Sequence, residues 1–346
     1  MKTAVLVVAV VLTMACSTSS QPNTSAPAKL PPARGYHYMV GLGTNPGILL
    51  FSGETAPPRF GGYDLGDVWL WRTGGGWTQK SGLGQKYGCP VLAPATRPCR
   101  SSDFACYDPK AGRMVVLATD AGQDAPLAEN WTYDPLNDAW HQRAVDQRPE
   151  FPNGTTAALD NESDRVIAFD GETWAYDPAA NAWLQMHPKN SPQFGSFSAF
   201  VYDEKQDRLI LLGGEFRGPL RDVWTYDFNH DAWTEADAGS GPSGRLYTAV
   251  AYDARSGSVI LFGGIGSNPL LVSSEPPLND TWSYDLRTNK WTELKPKTSP
   301  PARGRHAMAF DSESGKIVMF GGGADPRNFK NDTWIFDPST SNWTKA

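Results

Sequence analysis

Tryptophan marks this chain at regular intervals. Twelve of its thirteen tryptophans form six pairs: Trp69/Trp77, Trp131/Trp140, Trp174/Trp183, Trp224/Trp233, Trp282/Trp291 and Trp334/Trp343. The spacing within a pair is eight residues once and nine residues five times, while the gaps between pairs vary. A fixed internal distance with elastic gaps marks one supersecondary unit that is repeated, with loops of unequal length between copies.

The rest of each copy follows the same grammar. An acid stands two residues before the first Trp of every pair: Asp67, Glu129, Glu172, Asp222, Asp280 and Asp332. An aromatic stands two residues after it: Trp71, Tyr133, Tyr176, Tyr226, Tyr284 and Phe336. A period of two predicts a strand with one buried face. A turn follows, as at Asp134-Pro135, and the second Trp opens another short strand. Upstream lies an aliphatic run that ends in two glycines in the last three copies, as in Leu209 to Gly214. A further strand precedes that run, as in Ala307 to Asp311. Each copy is thus four short strands with no long helical period. The expected fold is all-β, a six-bladed β-propeller with four antiparallel strands per blade, in which ring closure limits exposed sheet edges.

The aliphatic run, Gly213-Gly214, Trp224-x-Tyr226 and Trp233 resemble the kelch repeat, and the fifth and sixth copies match as well. The resemblance covers roughly residues 34–346. It departs locally where the glycine pair becomes Ser52-Gly53, Ala118-Thr119 or Asp170-Gly171. The expected blades are about 34–79, 100–142, 153–186, 194–235, 245–293 and 303–346. Pro31-Pro32-Ala33-Arg34-Gly35-Tyr36-His37 mirrors Pro300-Pro301-Ala302-Arg303-Gly304-Arg305-His306, so the first blade starts at the same strand as the last. All four strands of each blade are then contributed in order, and the ring is expected to close mainly through side-chain packing.

Such a ring uses about 40 to 50 residues per blade, which leaves no room for a second domain. The formal charge is −6 and no Lys/Arg cluster stands out, which argues against nucleic acid as a partner. Residues 1–15 read as a signal peptide, with Lys2 as its positive start and Ala4 to Leu12 as an apolar core too short to span a bilayer. Leu12-Thr13-Met14-Ala15-Cys16, followed by a polar stretch over 16–33 that reads as a disordered tether, resembles a bacterial lipoprotein cleavage site. Cys16 is then the lipidation site, anchoring the exported domain to a membrane surface of the cell envelope. The other reading is cleavage after Ala15 by the ordinary signal peptidase, giving a periplasmic or secreted protein. Cys89 and Cys99 flank a Pro-rich insertion and form the expected disulfide, with Cys99–Cys106 as the rival pairing and Cys106 otherwise a buried thiol.

Indole faces stack on sugars, but a residue that recurs at one position in every blade serves blade packing first. Function is expected at positions that differ between blades, on loops around the central mouth. In kelch proteins the loop leading into strand one and the loop from strand two to strand three share a face, and the resemblance implies that this face carries binding. The lead-in positions hold Arg34, Arg100, Arg245 and Arg303, with Pro152 and Gly195 in the third and fourth blades. Arg305 adjoins His306, and His37 occupies the equivalent position in the first blade. A cationic patch in an acidic protein fits an anionic or polyhydroxyl ligand, or a protein partner, at that side of the mouth. The competing reading pairs these arginines with the blade acids. The five histidines show no metal-ligand spacing, and no metal or other cofactor is expected. The Tyr–Cys and two-His set of kelch-type copper radical oxidases cannot be placed in this chain. The expected function is a cell-envelope binding or scaffold module for a glycan, peptide or protein. The alternative is a periplasmic small-molecule enzyme, similar to kelch sugar-acid mutarotases, with His37, Arg303 and Arg305 at its mouth.

Overall fold

A computed structural model describes residues 30–346 apart from 56–64, 81–103, 118–128, 145–148, 150, 152–154, 194, 196, 215–220, 237–238, 240 and 267–275. Among the described residues every regular element is a strand, and the strands form six antiparallel sheets. The first blade comprises Tyr38–Gly41, Ile48–Phe51, Val68–Arg72 and Gly76–Lys80. The sixth comprises Ala307–Asp311, Lys316–Phe320, Thr333–Asp337 and Asn342–Lys345. The four between them repeat this plan, each sheet taking its strands in chain order, and the fifth adds a short piece, Arg245–Leu246, beside Ile265 and Gly266. The first strand of each blade touches the first strands of both neighbours in an unbroken circuit, so these strands line the centre of a six-bladed propeller.

Burial follows position in the blade. Second strands such as Ile48–Phe51 are buried throughout because both faces meet a neighbouring blade, which explains their continuous aliphatic runs. Fourth strands at the outer edge alternate, as in Ala182–Gln185. Six apolar clusters fill the ring, and each straddles two blades.

The paired tryptophans are the joints. In the first, fourth and sixth blades the second Trp sends its indole N–H to the threonine just before the first Trp of the preceding blade. Trp77 reaches Thr333 at 2.8 Å, Trp233 reaches Thr173 at 2.8 Å and Trp343 reaches Thr281 at 3.1 Å. Where that threonine is replaced by Val68, the Trp140 indole nitrogen is left buried without a partner. In four blades the tyrosine of strand three donates to the residue five places on. Tyr133 meets Asp138, Tyr176 meets Asn181, Tyr226 meets Asp231 and Tyr284 meets Asn289, at 2.6–2.8 Å. Those four acceptors sit at φ between 47° and 55°, a left-handed corner that Asp and Asn tolerate.

Closure between the sixth and first blades is by packing and by main-chain bonds. One apolar cluster joins Trp69, Trp71 and Trp77 to Val318 and Phe320. The Tyr36 amide also donates to the Arg305 carbonyl at 3.1 Å, and the Gly322 amide to the Arg34 carbonyl at 2.9 Å. These backbone bonds go beyond the side-chain closure expected from sequence. They exist because the lead-in to strand one crosses the mouth and lies against the neighbouring blade.

Candidate functional site

The mouth is built on two layers that the repeat places in register. The lower layer holds the arginines. Arg34 donates from Nη1 to Asp67 Oδ1 at 2.6 Å and from Nη2 to Asp67 Oδ2 at 2.8 Å, with Nη1 also on the Ser52 carbonyl at 2.9 Å and Nε on the Pro32 carbonyl at 3.2 Å. Arg303 repeats this on Asp332 at 2.6 and 2.9 Å and on the carbonyls of Gly321 and Pro301. Arg245 repeats it on Asp280 at 2.7 and 2.8 Å, on the carbonyls of Gly263 and Ser243, and on the Ser243 hydroxyl. The same carboxylate accepts the indole N–H of the first Trp of its blade: Trp69 on Asp67, Trp282 on Asp280 and Trp334 on Asp332. Burial alone would raise the pKa of these aspartates, but the arginine charge and hydrogen bonds outweigh it and hold all three below the usual carboxylate range.

This corrects the expectation that Arg34, Arg245 and Arg303 contact a ligand. All three are buried, and their guanidinium groups are saturated by the acid two residues before each Trp and by the carbonyls that end strand two. They tie the lead-in to the blade. The glycine pair makes room: Gly263 and Gly264 lie at φ 58° and 105°, and a Cβ on Gly263 would stand 2.7 Å from the Arg303 carbonyl oxygen. Arg100, Cys16, Cys89 and Cys99 lie outside the described residues. Cys106 is a free thiol, and burial followed by the charges of Asp108 and Asp164 pushes its pKa up to about 12.

His37 and His306 are likewise buried, so neither imidazole is presented at the mouth as a ligand contact. Each ring packs edge-on against a phenylalanine, His37 on Phe320 at 5.7 Å and His306 on Phe262 at 5.4 Å. Neither ring nitrogen of either residue has a hydrogen-bond partner of good geometry. Burial and the charge of Arg34 lower the His37 pKa well below the ordinary value, and burial and Arg303 lower His306 to about 3. In the fifth and fourth blades the same position holds Thr248 and Ser198, whose hydroxyls donate to nearby backbone carbonyls.

The upper layer lies one residue earlier. There Phe197, Tyr247, Arg305 and Tyr36 occupy the same register position in the fourth, fifth, sixth and first blades. All four adopt left-handed backbone, at φ 62°, 53°, 62° and 56°. Bulky residues seldom adopt this region, and such strain concentrates where a fold must aim side chains at a ligand. Main-chain bonds fix the turn: the Tyr36 amide donates to the Arg305 carbonyl, and the Arg305 amide to the Tyr247 carbonyl at 2.9 Å. The side chains form one continuous crown. The Phe197 and Tyr247 rings lie 4.5 Å apart, and the Arg305 guanidinium carbon sits 4.2 Å from the Tyr247 centroid. Arg305 Nε donates to the Tyr36 hydroxyl at 2.6 Å. Tyr36 stands edge-on to Tyr247 at 5.6 Å and to Phe329, from the long loop of the sixth blade, at 6.0 Å. All four crown residues are half-buried.

Of the residues singled out from sequence, only Arg305 joins the crown; Tyr36, Tyr247 and Phe197 were missed. Their signal was the register itself, since the position two after the lead-in residue reads Tyr36, Ser102, Gly154, Phe197, Tyr247 and Arg305 around the ring. Among the described residues no group of three or more metal-ligating side chains gathers anywhere. The crown can stack, donate hydrogen bonds and present one cation.

Comparison with known families agrees with the architecture. The family model described as the KLHDC2/KLHL20/DRC7 Kelch-repeats domain matches residues 160–346, more than half of the chain. No curated protein matches the sequence. The strand order, the glycine pairs and the paired tryptophans place that match within one continuous ring, and the chain belongs to the Kelch-repeat family.

Proposed function

We propose that this chain is an exported binding module that holds a partner protein at the mouth of its propeller. The observation that carries this reading is the crown. Four consecutive blades spend strained backbone to bring two tyrosines, a phenylalanine and an arginine together at one side of the mouth. Aromatic and arginine side chains are the groups that dominate protein recognition. Kelch propellers commonly serve as protein-binding scaffolds, and a rigid crown beside the loop 323–331 suits that use. Cys16, if lipidated, would tether the module through residues 16–33 to the cell envelope.

A photo-crosslinking residue at exposed Asp325, on the loop beside the crown, tests the reading against one at exposed Leu184, on the outer strand of the third blade. The expected result, in cells that make the protein, is a discrete adduct from position 325 that disappears when Tyr247→Ala is added. Equal labelling from both positions, or no adduct from 325, would overturn it. Cys16→Ala is expected to move the protein from the membrane to the soluble fraction.

A further inference from the structure

Four arginines lie at the described side of the mouth, and they divide sharply. Arg34, Arg245 and Arg303 each hold a bidentate carboxylate. Arg305 has none: among the described residues no acid lies within ion-pair range of it. Its Nε is engaged by the Tyr36 hydroxyl, and one face of the guanidinium lies on the Tyr247 ring. Nη1 and Nη2 make no hydrogen bond among the described residues. An arginine whose plane is fixed by stacking, and whose paired N–H edge is left open, is preorganised for a planar oxyanion. Tyr36 adds a donor, because a hydroxyl oxygen that accepts from Nε keeps its own proton to donate elsewhere.

The setting favours an extended acidic ligand over a single charged ring. Phe329 packs on Tyr36, and its neighbours Arg327 and Lys330 are exposed on the same loop. Arg327 has only a loose 3.9 Å contact to Asp325, and Lys330 bonds the neutral Asn328. Positive charge therefore continues outward from the crown along the loop of the sixth blade, in a protein whose net charge is −6.

We propose that Arg305, with the Tyr36 hydroxyl, is a carboxylate-binding subsite that takes an Asp or Glu side chain from an acidic segment of the partner. Arg327 and Lys330 receive the flanking acids. This rests on the reading of the mouth as a partner-binding face. It is distinct from the three buried arginine–aspartate pairs, which hold the fold.

Fluorescence anisotropy with a labelled hexaglutamate peptide tests it, with hexaglutamine and trigalacturonate as comparison probes. The expected result is salt-sensitive binding of hexaglutamate, little binding of hexaglutamine, and a loss of about tenfold or more in affinity for Arg305→Gln. Arg305→Lys should recover part of the loss, since the charge remains but the fork is gone. Tyr36→Phe, which keeps the ring and loses the hydroxyl, should weaken binding severalfold. Arg165→Gln, in the third blade, should bind as wild type. Melting curves establish that each variant is folded. Hexaglutamate binding that is absent, or unaffected by Arg305→Gln, overturns the subsite. Preferential binding of trigalacturonate through Arg305 overturns the choice of an acidic polypeptide. Equal binding of hexaglutamine overturns the role of charge while leaving the crosslinking result at position 325 to decide the broader function.

Discussion

The buried histidines make the stability of this propeller depend on pH in a window where few other groups titrate. His306 has no hydrogen-bond partner of good geometry for either nitrogen, and its folded pKa is lowered to about 3 by burial first and then by Arg303. Unfolded, the same side chain takes a proton near its ordinary value of 6.5. A folded pKa below the unfolded one means that the unfolded chain binds the extra proton. The stability contribution is therefore intact above pH 6.5 and is lost as pH falls toward 3. Each unit of pH in that window costs about 1.4 kcal/mol per histidine, so lowering the pH from 6.5 to 5 costs about 2 kcal/mol through His306. Spread over the unfolding entropy of a ring of this size, that is a fall of about 3 °C in the unfolding midpoint. His37 shifts in the same direction for the same reason and adds to the slope. The window isolates the histidines, because ordinary carboxylates stay ionised in both states above pH 5. Thermal unfolding of wild type and His306→Thr between pH 5 and 7 reads the effect. Threonine is the residue that the fifth blade uses there as Thr248, whose hydroxyl donates to the Phe262 carbonyl at 3.0 Å. The variant should lose about half of the pH dependence. A variant that keeps the full wild-type slope would refute the assignment of that slope to a buried neutral imidazole.

Three further outcomes follow from the packing. Thr333→Val removes the acceptor of the Trp77 indole at the junction that closes the ring and should destabilise the protein by about 1–3 kcal/mol in chemical denaturation, because the indole N–H stays buried. Val68→Thr should have the opposite sign by supplying a partner to Trp140. Cys106, with its thiol pushed up to about 12, should resist alkylation at pH 8 in the folded protein and react once guanidinium unfolds it.

The skeleton was legible in the sequence because it is periodic. The acid, Trp and aromatic at positions −2, 0 and +2 pointed to third strands, and those strands are where they were expected. The functional layer was harder to read. Arg34, Arg245 and Arg303 looked like ligand contacts because their position varies between blades, yet each binds an acid that recurs in every blade, and that partner stands 29–35 residues away in sequence. His37 and His306 were expected at the mouth because they occupy equivalent positions just after the lead-in residues, and they are buried because the glycine-bearing ends of strand two fold over them. Tyr36, Tyr247 and Phe197 were passed over because aromatic residues are abundant in this chain. What distinguishes these three is a left-handed backbone, and no side-chain pattern announces φ.

The division of the mouth arginines into three that hold the fold and one that faces a ligand is most directly tested by the unfolding midpoints of Arg34→Gln, Arg245→Gln, Arg303→Gln and Arg305→Gln, measured side by side at pH 7. Removing one partner of a buried ion pair leaves an uncompensated carboxylate and costs about 3–5 kcal/mol, so the first three should each melt several degrees below wild type. Arg305→Gln should melt within about one degree of wild type, as expected for a partly exposed side chain without a carboxylate partner. A destabilisation of Arg305→Gln equal to that of the other three would contradict the account.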